Sequence, residues 1–460
     1  MPPSDPVLAV AEMQAAERAL VDAGVGVDEL MQRAGRGAAE WAWRLAAGRP
    51  VTVLCGPGNN GGDGYVIAQV LHERRLDVAV AAPIESKTEA ARNARELYRG
   101  EMAGEARHGG VLVDCLFGSG LTRPLSAELL ALLTGLAARH HQCIAVDLPS
   151  GVESDSGALI NEALPRYDLT LALGAWKFAH WTMPAAATMG ARQLVDIGVR
   201  DVETSAWLSA RPHFAPPAPD AHKYRRGLVA VVGGAMTGAA LLCAKAAMHG
   251  GAGYVKLFAE RSHPAAPAAL VVDDAPLAEA LGDERIAAVL AGPGLGRDDA
   301  ARTRIGAVLA HAGPRVFDAD ALVLLDRRRF EGQVLLTPHE GELAGLCSVF
   351  GIDAAGKRAR AQALAKASGA TVLAKGPDTV LCAPDGATRF FATGPTWLST
   401  AGTGDVLAGI AASRMATGLS AFEAADQAVW LHHEAARIAG AAFSADELAQ
   451  AVKAAYARFL

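Results

Sequence analysis

The segment VTVLCGPGNNGGDGYVIAQVL, residues 51–71, joins an apolar strand pattern to a helical pattern through a glycine-rich turn. Its glycines at 56, 58 and 61 match the G-x-G-x-x-G spacing of dinucleotide-binding loops, which alone is a weak signal. Asp63 argues against an ordinary loop of that kind, because its carboxylate would repel a pyrophosphate at the helix N-terminus unless a cation lay between them. Asn59 and Asn60 add amides that can coordinate a hard cation or hold a sugar. A plain turn with Asp63 as a helix cap is the alternative, although a cap does not need so many Gly and Asn residues.

The same alternation of strand and helix continues along the chain. Apolar runs that predict strands begin at residues 51, 78, 111, 143 and 169, and again at 228, 254, 286, 315, 334 and 371. Helices are predicted from about Tyr65, over Glu89–Leu97, from Ser126, over Ala239–His249, and from near Val406, Ala421 and Ser444. Strands that are apolar throughout and alternate with helices indicate doubly wound, mostly parallel sheets, which bind ligands at their carboxyl edge.

A Pro-rich segment, RPHFAPPAPD at residues 211–220, has the composition of a stiff linker. We therefore predict a first domain at residues 1–211, a linker at 212–220 and a second domain at 221–460. A chain of 460 residues is long enough for two or three domains. The motif order differs between the halves, so two different α/β domains are expected and not a duplication.

The composition excludes several classes of protein. Hydrophobic residues make up 51% and charged residues 20% of the chain, which rules out disorder throughout. The 43 Lys and Arg against 49 Asp and Glu give a net charge of -6, which disfavours a general nucleic-acid binder. Six cysteines without a CxxC pair indicate reduced thiols. The opening MPPSDPVLAV shows no signal peptide and no membrane span is evident, so a soluble cytoplasmic protein is expected.

In the first half, Asp114 and Asp147 stand at strand ends, where desolvation can raise the pKa of a carboxyl group for proton transfer. A loop carboxylate or a helix cap is the alternative for each of them. Lys177 follows another apolar run, and an ordinary surface lysine is as good an interpretation as a functional one.

Five motifs in this half, in this order, resemble the NAD(P)HX epimerase domain: MQRAG at 31, GPGNNGGDG at 56, DCLFGSGL at 114, AVDLPSG at 145 and GAWK at 174. The resemblance implies a Rossmann-like doubly wound fold and a potassium ion held by Asn60, Asp114 and Ser150. It implies that substrate contacts Asn59, Asn60, Gly61, Gly62, Asp63, Gly118, Ser119, Gly120, Leu121, Thr122 and Arg123, with Asp147 as the catalytic contact. Arg123 departs from the small residue that the family usually has there.

In the second half, STAGTGDVLAGIAAS at residues 399–413 places Gly402 and Gly404 around Thr403, just before a helix. Such glycines let backbone amides close on a phosphate, and the helix dipole stabilises its charge. Asp405 then lies beside the reacting phosphoryl group as a candidate base. A capping Thr followed by Asp in the first turn explains part of the pattern, but not the two glycines.

Three further loops follow predicted strands: GPGLG at 292, TPHEGE at 337 and LAKGPDT at 373. Lys375 and Thr379 could bind phosphate oxygens by charge and hydroxyl, and His339 could bind a ligand or be structural. His432, His433 and Glu434 are a poor metal motif, because adjacent histidines point to different faces of a helix.

These loops, with HKYRRG at 222, MTGAALLCAKAAMHGGAGYVKL at 236 and DADAL at 318, resemble the ADP-dependent NAD(P)HX dehydratase, a ribokinase-like α/β domain. The resemblance implies that Ala252, Gly294 and His339 contact the hydrated nucleotide and Asp405 its hydroxyl. It implies that the adenine nucleotide contacts Lys375, Gly376, Pro377, Asp378, Thr379 and Gly404. Tyr224 departs from the family's HKGxxG.

The two resemblances together imply repair of hydrated NADH and NADPH (NADHX and NADPHX). The first domain would interconvert the epimers at the hydroxyl-bearing carbon, and the second would remove the hydroxyl with ADP, giving AMP and phosphate. They imply K+ in the first domain, Mg2+ with ADP in the second, no nucleic-acid or membrane partner, and a homo-oligomer. A sugar or vitamin kinase fused to a nucleotide-binding module, and a binding protein without turnover, are the alternatives.

Overall fold

The computed structural model describes residues 5–103 and 108–460 and separates into two compact units, 5–206 and 207–460. The boundary between them falls after Ala206, five residues before the Pro-rich segment begins at Arg211. Within that segment Phe214 is buried in the second unit, where its amide donates to the Phe459 carbonyl at 2.6 Å and its ring stacks on that of Phe459. The segment therefore packs on the second unit through an aromatic anchor.

The first unit is built on a seven-stranded sheet. The strands of the unit, seven in this sheet and two in a separate pair formed by β1 and β8, are β1 (Val7–Leu8), β2 (Val51–Cys55), β3 (Val78–Ala81), β4 (Glu101–Met102), β5 (Gly109–Cys115), β6 (His140–Val146), β7 (Leu169–Leu173), β8 (Trp176–Lys177) and β9 (Ala191–Val195). Its helices are α1 (Val10–Asp22), α2 (Val27–Ala46), α3 (Asn59–Glu73), α4 (Glu89–Leu97) and α5 (Ala127–Ala138), with 3-10 turns at Phe178–Trp181 and Ala185–Thr188.

The strand order of this sheet is β4-β3-β2-β5-β6-β7-β9, with every pair parallel, and β1 pairs separately with β8. The chain runs outward from β2 to β4, then returns and runs outward from β5 in the opposite direction. The carboxyl ends of β2 and β5 are therefore the topological switch point, where such sheets bind their ligands. The doubly wound first domain is confirmed.

The second unit is built on a ten-stranded sheet. Its strands are β10 (Ala206–Leu208), β11 (Leu228–Val232), β12 (Tyr254–Phe258), β13 (Val271–Asp273), β14 (Ile286–Ala291), β15 (Arg315–Phe317), β16 (Val334–Leu336), β17 (Thr371–Ala374), β18 (Val380–Cys382) and β19 (Thr388–Phe390). Its helices are α6 (Thr237–His249), α7 (Leu277–Ala280), α8 (Asp299–Ala310), α9 (Asp320–Leu324), α10 (Glu340–Phe350), α11 (Lys357–Ser368), α12 (Thr403–Ala416), α13 (Ala421–Ala439) and α14 (Ala445–Ala457), with a 3-10 turn at Thr396–Leu398.

This sheet has the order β10-β19-β18-β17-β16-β15-β14-β11-β12-β13. The strands from β13 to β17 are parallel, whereas β17, β18 and β19 form an antiparallel meander. The apolar run that begins at residue 371 continues beyond β17 into β18, and the chain folds back between them because GPD at 376–378 makes a turn. Alanine-rich faces of α6, α12, α13 and α14 close the core over one side of the sheet.

Two observations bear on the expected class of protein. All six cysteines are buried free thiols, as predicted. Within residues 5–103 and 108–460, no helix combines the length and the hydropathy that a membrane crossing requires.

Candidate active sites

The first unit has a cavity of about 450 Å³ at its switch point. It is lined by the start of α3, by the loop after β5, by Asp147 at the end of β6, and by Lys177. Glu17 of α1 closes one side. Loops that are distant in sequence thus meet where a ligand of this sheet would bind.

Helix α3 begins at Asn59, six residues before the predicted start, so the GNNGGDG motif forms its first turns. Asn59, Asn60 and Asp63 line the cavity. Gly61 does not, because a Cβ there would lie 1.9 Å from the Gly56 carbonyl oxygen. Gly62 packs against the sulfur of Met31 in α2. The helical period thus places Asn59, Asn60 and Asp63 on the cavity side of α3 and the two glycines on its packed side. Gly61 and Gly62 allow α3 to pack closely on its neighbours and, contrary to the prediction that they contact substrate, do not line the cavity.

Asp147 and Lys177 form a buried ion pair at the floor of the cavity. The Lys177 ammonium donates to Asp147 Oδ1 and to the Leu173 carbonyl, both at 2.6 Å, and the residue is only 1% exposed. The Ser119 amide donates to Asp147 Oδ2 at 2.9 Å. Burial alone would raise the pKa of Asp147, but the charge and hydrogen bond of Lys177 and the Ser119 amide lower it below its ordinary value. The alternative that Lys177 is a surface lysine is wrong.

The backbone around this pair is held in place by His180. Asp147 has φ 64°, a left-handed conformation that is uncommon outside glycine and is often found at functional sites. His180 Nε2 donates to the Asp147 carbonyl at 2.8 Å, and its Nδ1 accepts from the Lys177 amide at 2.9 Å. Burial, followed by the nearby Lys177 charge, lowers the pKa of His180 to about 3, so the ring is neutral.

Asp63 has the opposite electrostatic environment. It is buried in the same cavity as Asp147 and Glu17. Burial, then the negative charges of Asp147 and Glu17, raise the pKa of Asp63 well above its ordinary value. The cavity therefore contains carboxyl groups whose pKa values are shifted in opposite directions, downward for Asp147 and upward for Asp63, and such a separation is what acid and base roles require.

The three predicted potassium ligands lie around the loop after β5. Ser150 Oγ accepts from the Phe117 amide at 2.9 Å and donates to Asp114 Oδ1 at 2.8 Å. A Cβ on Gly118 would lie 3.3 Å from Asn60 Cγ. Both amide atoms of Asn60 are buried without a hydrogen-bond partner among the described residues, which suits a ligand-binding role. Asp114 accepts four hydrogen bonds, two from Ser150 and one each from the Leu116 amide and the Tyr167 hydroxyl.

In the second unit, Asp405, Lys375 and Asp318 come together at the carboxyl edge. The Lys375 ammonium donates to Asp318 Oδ1 at 2.5 Å, and Asp318 is 1% exposed. A Cβ on Gly404 would lie 3.4 Å from that ammonium nitrogen. Burial, followed by the negative charge of Asp318, raises the pKa of Asp405 to about 6, although Lys375 opposes the rise. A carboxyl group with that pKa can exchange a proton near neutral pH.

The GTGD turn that carries Asp405 is the start of α12. Gly402 has φ 87° and contacts α14 so closely that a Cβ would lie 2.9 Å from Ala445 Cβ. His432 of α13 hydrogen-bonds the Thr403 carbonyl through Nε2 at 2.9 Å. Glu434 pairs with Arg437 and Arg458. These bonds give His432 and Glu434 structural roles in α13.

Comparison with known proteins decides the family. A family profile described as NAD(P)H-hydrate dehydratase matches residues 229–457, and one described as YjeF-related protein N-terminus matches residues 27–179. The bifunctional NAD(P)H-hydrate repair enzyme Nnr of Salinibacter ruber is 34% identical over an alignment that covers 95% of this chain and 92% of its own. The chain belongs to the bifunctional NAD(P)H-hydrate repair enzymes.

A second relative agrees with this family. The enzyme of the same name from Moorella thermoacetica is 32% identical and covers 91% of this chain and 88% of its own. The solved ADP/ATP-dependent NAD(P)H-hydrate dehydratase from Bacillus subtilis, co-crystallised with ATP and Mg2+, is 27% identical, covers 54% of this chain and 95% of its own, and has a TM-score of 0.46. The resemblance drawn from the sequence motifs is confirmed, and the repair family is favoured over a kinase or a binding module.

The loop after β5 in this family member reaches the cavity only with its first half. Gly118, Ser119, Gly120 and Leu121 line the cavity. Thr122 and Arg123 are exposed and are not among the lining residues. The reason is the turn closed by the Leu121 amide on the Gly118 carbonyl at 3.3 Å, after which the chain leaves the cavity.

The predicted adenine-nucleotide segment, residues 375–379, is a tight turn between β17 and β18. The Thr379 hydroxyl donates to the Gly376 carbonyl at 2.7 Å and accepts from its amide at 3.2 Å. Asp378 pairs with Lys357 at the start of α11. Pro377 lies in the turn, next to Asp378. Lys375 is the member of this segment that contacts Asp318 near Asp405. Lys375 therefore contributes its charge to the site, whereas Gly376 and Thr379 hold the turn together.

The three predicted contacts of the hydrated nucleotide do not come together. Gly294 follows β14 at the carboxyl edge, where a Cβ would lie 2.9 Å from Ala239 Cβ in α6. His339 follows β16 and caps α10 by accepting from the Gly341 amide at 3.0 Å. Ala252 precedes β12 and its amide donates to Ser413 Oγ. Ala252 therefore lies at the amino edge of the sheet, away from Asp405.

Two functional candidates, Asp318 and Glu17, were not predicted from the sequence, and Lys177 was left open between a surface and a functional role. Lys177 lies in the GAWK motif and Asp318 in the DADAL motif. For both, the sequence feature that indicates a functional role is a charged residue directly after an apolar strand. Glu17 belongs to an amphipathic helix and gave no signal of its own.

Proposed function

We propose that the epimerase reaction takes place in the first-unit cavity with Asp147 as the proton acceptor and Asp63 as the proton donor. Epimerisation requires that a bond at the hydroxyl-bearing carbon breaks and forms again with the opposite configuration. The observation that supports these roles is that Asp147 and Asp63 line one cavity in different surroundings: Lys177 donates to Asp147 at 2.6 Å and lowers its pKa, whereas burial raises the pKa of Asp63. Asn59, Gly118 and Gly120 would hold the ring and ribose.

We propose that the dehydratase reaction takes place at Asp405. Asp405 would accept the hydroxyl proton of the hydrated nucleotide while that oxygen attacks the terminal phosphorus of ADP, releasing AMP. The carbon–oxygen bond then breaks and inorganic phosphate leaves with its electron pair, while the neighbouring carbon loses a proton to solvent, which restores the double bond. Lys375 and the α12 amides beside Gly404 would stabilise the transferring phosphate. Asp318 would orient Lys375, which it contacts.

The ions are part of the same proposal. A potassium ion bound by Asn60, Asp114 and Ser150 would offset the negative charge of the first cavity, and the orphaned Asn60 amide fits such a ligand set. Mg2+ would be bound mainly by the phosphates of ADP, because the described residues contain no group of three or more His, Cys, Asp or Glu side chains arranged around a metal position. ADP in preference to ATP, a cytoplasmic location and a homo-oligomer remain predictions.

The test uses hydrated NADH as a mixture of epimers, with ADP and K+. We expect the absorbance of the reduced nicotinamide to return completely with the parent protein. Asp405→Asn should remove that return while the epimers still exchange. Asp147→Asn should convert the (S) epimer and leave the (R) epimer behind. Retention of full conversion by both variants would contradict the roles assigned to Asp147 and Asp405. The phosphate donor is decided separately, by comparing the rate with purified ADP and the rate with purified ATP.

A further inference from the structure

A second cavity, of about 290 Å³, lies at the carboxyl edge of the second unit beyond Gly294. We call it the arginine pocket, after Arg261 and Arg304, which line it together with Gly234, Thr237 and Leu295. Arg261 follows β12, Gly234 follows β11 and Leu295 follows β14. Three neighbouring strands of the sheet thus contribute to one pocket.

The strand order connects this pocket to Asp405. Asp318, which lies near Asp405, ends β15, and the sheet continues from β15 through β14 and β11 to β12. Because neighbouring strands lie about 4.8 Å apart, the ends of β15 and β12 are about 14 Å apart. A dinucleotide with its hydroxyl-bearing ring at Asp405 can therefore lie along the edge, across Gly294, with its far end in the arginine pocket.

The charges of the pocket favour an anion. Arg304 is 23% exposed, and its ion-pair partner, Glu260, lies 3.7 Å away on a side chain that is 87% exposed. Such a loose surface pair is worth little and is easily exchanged for a phosphate. Within the described part of the chain, Arg261 has no hydrogen bond or ion pair. Asp298, the other acid of the pocket, is engaged as the cap of α8 through the Ala301 amide at 2.8 Å.

We infer that the arginine pocket binds the 2′-phosphate of hydrated NADPH and thereby favours it over hydrated NADH in the dehydratase reaction. The inference rests on the proposed function of the second unit. A phosphate monoester presents the oxygens that a guanidinium fork binds in pairs. The pyrophosphate of either substrate lies between the two ends of the dinucleotide, and so nearer to Gly294. The pocket at the far end can therefore distinguish the two hydrates.

The experiment compares Arg304→Gln and Arg261→Gln with the parent full-length protein, using the (S) epimers of hydrated NADPH and NADH with ADP. We expect the ratio of the two kcat/KM values, NADPH hydrate over NADH hydrate, to fall about tenfold or more in each variant, since a charge-assisted hydrogen bond is lost. Arg302→Gln is the matched control, because Arg302 is exposed on the same helix and does not line the pocket. It should keep the parent ratio.

Other results would overturn the inference. An equal loss of kcat/KM for both hydrates would assign the arginines to binding of the pyrophosphate. Unchanged kcat/KM values for both hydrates would leave the pocket without a role in substrate recognition. Calorimetric binding of adenosine 2′-monophosphate gives a second readout without turnover, and equal affinity of the parent and Arg304→Gln for it would also contradict the inference. A parent protein that dehydrates neither hydrate would instead contradict the proposed function, so the two failures are distinguishable.

Discussion

A lysine holds a buried aspartate in each unit, at the carboxyl edge of its sheet. Lys177 binds Asp147 at 2.6 Å and Lys375 binds Asp318 at 2.5 Å. A buried charge without its partner is far less stable than the same charge in solvent. The effect of these residues on activity must therefore be separated from their effect on stability.

For Lys177→Met we expect the free energy of unfolding of the first unit to fall by about 3–5 kcal/mol, because the substitution leaves Asp147 buried and unpaired. Urea unfolding followed by tryptophan fluorescence measures this, with Lys87→Met as the control for an exposed lysine of the same unit. The double variant Lys177→Met with Asp147→Leu should recover part of the loss. A loss below about 1 kcal/mol would match a surface pair and contradict the prediction.

The raised pKa of Asp405 predicts a pH dependence of dehydration. Below about pH 6 the carboxyl group is protonated and cannot accept the substrate hydroxyl proton, so kcat/KM should rise with pH through about 6 and then level off. Asp405→Asn should lower the rate by about 100- to 10,000-fold and remove this ionisation. An unchanged pH profile in that variant would assign the ionisation to another group. Epimer exchange without ADP is the internal control.

At the scale of the element, α3 depends on its close approach to β2. Gly61→Ala would place a methyl group 1.9 Å from the Gly56 carbonyl oxygen, so α3 must shift. We expect a loss of stability of about 1–3 kcal/mol and loss of epimer exchange, because Asn60 and Asp63 move with the helix. At Gly58 a Cβ would meet nothing within 4 Å and φ is -98°, so Gly58→Ala is the matched control for stability. Equal stability of the two variants would contradict the packing role.

At the scale of the whole molecule, the proposed potassium site belongs to the first unit alone. Exchanging K+ for Li+ should slow epimer exchange, because Li+ is the smaller ion and would not bind the proposed ligands Asn60, Asp114 and Ser150 in the way that K+ does. Dehydration of the pure (S) epimer should respond much less. Both rates are measured on one preparation at constant ionic strength. If the exchange of K+ for Li+ slowed both reactions equally, or slowed neither, a potassium site confined to the first unit would be contradicted.

The sequence by itself determined the α/β class, the positions of the eleven parallel strands at the centres of the two sheets, the identity of the family and the aspartates at strand ends. Periodicity and contiguous motifs are local properties, so they can be read from a linear chain. The helix starts were less certain: α5 begins just after Ser126 as predicted, whereas α3 begins six residues early because its glycines were read as a loop.

Only the tertiary structure decided which residues meet. Asp318 and Lys375 are 57 positions apart, and Lys177 and Asp147 are 30 apart, so no local pattern reveals that they pair. The fold also placed Ala252 at the amino edge of the sheet. The chain leaves β11 at the carboxyl edge, returns through α6, and passes Ala252 just before β12 begins, as a crossover between parallel strands requires. Strand order, burial and the pKa shifts that follow from them arise from contacts between distant segments, and these contacts exist only in the folded chain.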